Sequence, residues 1–101
     1  TALSGSGPAY VYFFIEALEQ AAIEQGLAQP IARQLAVQTI KGAASMVEQT
    51  QMDPSVLRER VTSPGGTTAA GLQQMMCGGF ADIVQNVIDA ASMRSRELGN
   101  E

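Results

Sequence analysis

The stretch Ser4-Gly5-Ser6-Gly7-Pro8-Ala9-Tyr10-Val11-Tyr12-Phe13-Phe14-Ile15-Glu16-Ala17-Leu18 decides the fold. Serine and glycine loosen the entry. Ser6 or Gly7 is placed to cap a helix, and Pro8 suits its first position, where a missing amide costs nothing. Tyr10, Phe13, Phe14, Ala17, Leu18 and Ala21 then recur at helical spacing until Gly26 stops the pattern. Val11, Tyr12 and Ile15 fill the remaining faces, so the first half of this helix is apolar on nearly every side. Such a helix is buried all round, and in a chain of 101 residues that implies burial against a partner.

Outward from this segment everything reads as helix. A second helix opens at Gln29-Pro30 and runs to about Thr50, with Ile31, Leu35, Ile40, Ala43, Ala44 and Val47 apolar and Arg33, Gln34, Gln38 and Lys41 facing water. Asp53-Pro54 opens a short third helix with Val56, Leu57 and Val61 as its apolar set. A fourth follows Ser63-Pro64-Gly65-Gly66-Thr67-Thr68 and reaches about Met76. After Gly78-Gly79 a fifth helix runs to about Leu98, its apolar positions Phe80, Ile83, Val84, Val87, Ile88 and Ala91 opposed by Asp82, Gln85 and Asp89. No alternating strand pattern of useful length is present. The fold class is all-α, a helical bundle in one domain over residues 1–101.

Composition narrows the chemistry. The chain is 46% hydrophobic and only 16% charged, where a soluble domain usually carries about a quarter charged residues; it has apolar surface to hide. Its net charge of −4 is interspersed, which excludes the basic patch that nucleic acid requires. There is no histidine, so a serine–histidine triad and the commonest metal ligand are excluded, and no metal site is expected. The single cysteine, Cys77, has no basic neighbour in sequence and reads as a small packing residue in a reducing, cytoplasmic setting. The five methionines and Tyr10 and Tyr12 read as core or interface; Arg94, Arg96 and Glu97 read as a solvated or interfacial last turn. The apolar run from Tyr10 to Ile15 is too short to span a membrane.

One segment offers means for chemistry: Ser63-Pro64-Gly65-Gly66-Thr67-Thr68. As a plain turn between helices it is unremarkable, with Pro64 setting φ and the glycines permitting unusual angles. Its density of donors exceeds what a turn needs. The amides of Gly65, Gly66, Thr67 and Thr68 and the hydroxyls of Ser63, Thr67 and Thr68 are able to converge on one small anion, at the positive end of the helix that follows. Ser4-Gly5-Ser6-Gly7 lacks a preceding strand and reads as a capped helix entry rather than a dinucleotide loop.

In order, Ser4-Gly5-Ser6-Gly7-Pro8-Ala9-Tyr10, Val61-Thr62-Ser63-Pro64-Gly65-Gly66-Thr67-Thr68, Gly78-Gly79-Phe80 and Arg94-Ser95-Arg96-Glu97-Leu98 resemble the C-terminal domain of the pyrroline-5-carboxylate reductase family. The resemblance implies the last step of proline biosynthesis, in which NADPH, or less readily NADH, gives a hydride to the C=N carbon of 1-pyrroline-5-carboxylate to make L-proline. It further implies an N-terminal Rossmann domain, absent from this chain, that binds the cofactor, and a C-terminal helical domain that interlocks with a second copy as a homodimer and supplies the substrate pocket. By position, Ser63 with the backbone of Gly65, Gly66 and Thr67 would hold the substrate carboxylate. Thr68 would be the catalytic residue, its hydroxyl approaching the ring nitrogen. Met76-Cys77 departs from the acid that the family commonly carries there. The resemblance leaves open whether dimers form rings, and the chain is expected not to turn over by itself.

Two other readings compete. One is the helical domain of another Rossmann-type dehydrogenase, such as the β-hydroxyacid or ketopantoate groups. Those place a lysine or acid on this domain, whereas Lys41, the only lysine, lies mid-helix away from the turn. The other is a non-catalytic dimerisation module, which explains the apolar surface but not the donor cluster.

Overall fold

A computed structural model describes residues 3–99. Five helices follow one another: α1 (Gly7–Glu24), α2 (Gln29–Thr50), α3 (Pro54–Arg60), α4 (Thr67–Cys77) and α5 (Phe80–Gly99). Among the described residues there is no strand. They form two compact units, one of residues 3–7 and 55–99 and the other Pro8–Pro54.

In the second unit, α1 begins at Gly7 and Pro8 is its second residue rather than its first; the first-turn amides have no intrahelical partner, so proline is harmless at either place. The helix ends on Gly26, whose φ of +106° a side chain would resist. The Gly26 amide donates to the Ile23 carbonyl at 2.9 Å and the Leu27 amide to the Ala22 carbonyl at 3.2 Å, the paired bonds that satisfy the last carbonyls of a helix. Ala28 then accepts from the Ala32 amide at 2.9 Å and starts α2, with Pro30 in the first turn.

Glu19 joins α1 to the first two turns of α2. Its Oε1 accepts from Gln29 Nε2 and its Oε2 from Arg33 Nε, both at 2.6 Å. Glu19 is buried and Arg33 exposed. The Arg33 hydrogen bond, then that from Gln29, holds the Glu19 carboxyl below the usual glutamate range against the opposing effect of burial. Ala32 and Ala36, one turn apart, are the buried apolar residues of α2, at 0% and 6% exposure. At its far end α2 closes on Thr50, whose hydroxyl donates to the Met46 carbonyl at 2.6 Å and accepts from the Met52 amide at 3.2 Å.

In the other unit, α3 is closed by Thr62, whose hydroxyl donates to the Arg58 carbonyl at 2.6 Å. The chain turns through residues 63–66 into α4, which packs against α5. The Gly78 amide caps α4 through the Gln74 carbonyl at 2.9 Å, and the Gly79 carbonyl accepts from Ile83 at 2.9 Å to start α5. Asp82 in the first turn and Arg96 in the last complement the dipole of α5, and Gln85 bonds Asp89 along its polar face. None of the residues of α3, α4 or α5 is buried.

One sequence expectation is corrected: Cys77, read as a packing residue, is an exposed free thiol at the end of α4. Tyr12 and Phe13, on the helix read as buried against a partner, are 64% and 72% exposed in one copy of the chain.

Two outcomes are expected. Ala32→Leu overpacks a site with no exposed surface and lowers stability by about 1–3 kcal/mol, read by thermal denaturation. Because the Glu19 pKa is lower folded than unfolded, its contribution is complete above the ordinary value near 4.5 and is lost as pH falls through the lower folded value. Denaturation between about pH 6 and pH 3 therefore shows a fall in stability that is reduced in Glu19→Gln.

Candidate functional site

The candidate site is the turn that feeds α4. The Ser63 carbonyl accepts from the Gly66 amide at 3.0 Å, and Gly65 between them has φ +74°. Proline followed by a residue of positive φ is the order of a type II turn, and a glycine there removes the steric cost. Gly66 is the N-cap of α4, extended at φ −86° and ψ −177°, and its carbonyl accepts from the Ala70 amide at 3.1 Å.

The amides of Thr67, Thr68 and Ala69 therefore lie in the first turn ahead of the first intrahelical bond, at the positive end of the helix dipole. Ser63, Gly65, Thr67 and Thr68 are exposed and Gly66 is half-buried. A β-carbon at Gly66 would lie 2.9 Å from Ser63 Oγ and 3.2 Å from the Ser63 carbonyl oxygen, so the serine hydroxyl sits directly over the bare backbone of Gly66.

This geometry refines the donor set read from the sequence. Ser63, Gly65, Gly66, Thr67 and Thr68 do come together on one turn. The Gly66 amide, however, is engaged in closing that turn, so what Gly66 supplies is room and curvature. The Ala69 amide takes its place as a backbone donor. The sequence carried that signal, because once the helix starts at Thr67 its third amide is Ala69. No ionisable side chain belongs to the turn, so its chemistry is that of neutral N–H and O–H donors, which suit a small anion.

A concavity lies toward the other end of α4, an open, largely apolar groove of about 480 Å³ lined by Arg58, Leu72, Met75, Met76, Phe80 and Asp82 among others. At about 1.5 Å per helical residue, Thr68 and Met75 are roughly 10 Å apart along the axis, and the groove includes none of the turn residues. Sequence reasoning did not single out this groove, whose walls come from three separate helices. Among the described residues no group of histidine, cysteine, aspartate or glutamate is placed to hold a metal ion, and no helix is long and apolar enough to cross a membrane.

The chain matches the family model described as pyrroline-5-carboxylate reductase dimerisation over residues 1–98. It is 52% identical over 98 residues to a pyrroline-5-carboxylate reductase of Glycine max, covering 97% of this chain and 36% of that protein. It is 41% identical over 101 residues to pyrroline-5-carboxylate reductase 1 of Bacillus subtilis (strain 168), covering 100% of this chain and 34% of that protein. The chain thus spans about a third of the length of the curated relatives it matches. Among solved structures, the pyrroline carboxylate reductase of Plasmodium falciparum with NADP bound superimposes with a TM-score of 0.95 at 41% identity, over 98% of this chain and 38% of that one. The pyrroline-5-carboxylate reductase of Coxiella burnetii gives 0.93 at 42% identity, over 96% of this chain and 36% of that one. An all-α chain whose donor turn opens its fourth helix, and which matches this model along nearly its whole length, belongs to the pyrroline-5-carboxylate reductase dimerisation family.

Proposed function

We propose that this chain is the dimerisation and substrate-carboxylate-binding domain of a cytoplasmic, NAD(P)H-dependent reductase that converts 1-pyrroline-5-carboxylate to L-proline. The observation that carries this reading is the donor-only turn at the start of α4 in a chain of this family. The substrate has one carboxylate, and the turn offers uncharged donors to one anion. Ser63 Oγ and the amides of Gly65, Thr67 and Ala69 hold that carboxylate; Gly66 keeps the backbone open beneath it.

The reaction adds a hydride to the imine carbon and leaves a proton on nitrogen. A nicotinamide cofactor supplies the hydride. This chain has no cradle for a dinucleotide: the Ser4-Gly5-Ser6-Gly7 segment enters α1 through turns with no strand before it among the described residues, and the turn at α4 suits a single anion. The cofactor is held by a separate N-terminal domain, and a second copy of this chain completes the homodimer. Thr68 Oγ1 serves the ring nitrogen. Toward an unprotonated imine the hydroxyl donates to the nitrogen and stabilises the negative charge that develops as the hydride arrives, and toward an iminium it accepts from the N–H. Threonine is too weak an acid to yield the proton outright, so the proton arrives with an already protonated iminium or from water, and Thr68 orients it.

Two outcomes follow for this chain joined to its cofactor-binding domain, assayed by NADPH oxidation with 1-pyrroline-5-carboxylate. Thr68→Ala lowers kcat by about tenfold or more while Ser63→Ala acts mainly on KM; an unchanged kcat in Thr68→Ala removes its transition-state role. Gly66→Ala pushes a methyl group against Ser63 and displaces the turn, raising KM by roughly tenfold with the dimer retained.

A further inference from the structure

We propose that Thr62 is a positioning residue for the reaction: its hydroxyl ties the donor turn to the end of α3 and thereby holds Ser63 Oγ at the substrate carboxylate. The inference rests on the carboxylate-binding reading above and adds to it a residue one position outside the turn.

Ser63 is exposed and its side chain turns about one bond, so the backbone that carries it sets where the hydroxyl lies. That backbone is held from two sides. Toward α4, Pro64 keeps the residue before it out of the helical region, and the Ser63 carbonyl accepts from the Gly66 amide at 3.0 Å. These local effects give the turn its shape. They leave open the direction in which it departs from α3.

Thr62 fixes that direction. Its amide donates to the Glu59 carbonyl at 3.1 Å, one residue after the Val61 amide donates to the Arg58 carbonyl at 3.2 Å. Both bonds reach back three residues, the tighter pattern of poorer geometry found at helix ends. The Thr62 hydroxyl adds a bond to the Arg58 carbonyl at 2.6 Å, the shortest of the three. Thr62 is half-buried while Val61 and Ser63 on either side are exposed. Two donors on one residue, amide and hydroxyl, hold it against rotation where one would not. A threonine bonding back to the carbonyl four residues earlier is an ordinary local motif. Here the next residue carries a ligand donor, so the same bond holds part of the site. All of these contacts lie within one compact unit.

A donor already in place spares the ligand the cost of ordering it. The carboxylate keeps its charge throughout hydride transfer, so Ser63 serves ground state and transition state alike, and loss of its position appears in KM rather than kcat.

The test is NADPH oxidation with 1-pyrroline-5-carboxylate by this chain joined to its cofactor-binding domain, with Thr62 and Ser63 altered singly and together. Thr62→Val keeps the branched shape without the hydroxyl and raises KM about three- to tenfold, with kcat within about twofold of the parent. Thr62→Ser keeps the donor and restores KM. In the Ser63→Ala background, Thr62→Val adds less than about twofold to KM, because the hydroxyl it positions is already gone. Thr62→Ala replaces the valine variant if that one does not fold. A lower Tm with the parental KM makes Thr62 a helix cap alone and overturns the proposal, as does full additivity in the double variant. An unchanged KM in Ser63→Ala overturns the carboxylate role of Ser63 itself, and the positioning role with it.

Discussion

Everything in this chain follows from a shortage of interior. A helical chain of about 100 residues has room to bury one apolar stripe per helix, and α1 is apolar on nearly all sides while α2 and α5 carry broad apolar faces of their own. Among the described residues the buried apolar side chains are Ala32 and Ala36, both too small to anchor a core. Large apolar side chains such as Tyr12, Phe13 and Ile83 stay exposed in one copy, so little of the hydrophobic contribution that ordinarily stabilises a domain this size comes from within it. Low charge content belongs to the same design, since charged residues on those faces would be desolvated on pairing at a cost of several kcal/mol per ion.

Against that background the polar junction at Glu19 has a clear place. It is the buried carboxylate of the α1–α2 unit, and each of its oxygens has a donor from the first two turns of α2. An apolar contact tolerates sliding; two short hydrogen bonds to a carboxylate do not. Arg33 remains largely in water while the carboxylate is shielded, so the pair avoids much of the desolvation that a fully buried ion pair suffers. It ties the middle of α1 to the start of α2 through defined hydrogen bonds.

The donor turn obeys a different constraint. It presents backbone amides and hydroxyls and no charged side chain. A lysine or arginine would hold a carboxylate more strongly, but neutral donors arranged by the backbone need no reorganisation when the ligand arrives. The arrangement depends on φ at Gly65 and on the absence of a side chain at Gly66. The same two glycines that make the turn leave its backbone free of side chains.

By itself the sequence determined the helices and their limits. Proline and the Asp53-Pro54 pair mark helix entries, Gly26 and Gly78-Gly79 mark exits, and apolar spacing fills the intervals; these are local effects that act over a few residues. It also located the turn at residues 63–68 and, by resemblance, the family. Only the tertiary structure decided which amides remain for a ligand, because the bond from Gly66 to Ser63 depends on backbone angles that residue types permit without fixing. It decided that Cys77 is exposed and that Glu19 is shielded, which depends on contacts between residues far apart in sequence. It also showed that the division falls between α1–α2 and α3–α5. Burial belongs to an assembled surface, and periodicity names the apolar face of a helix without naming what covers it.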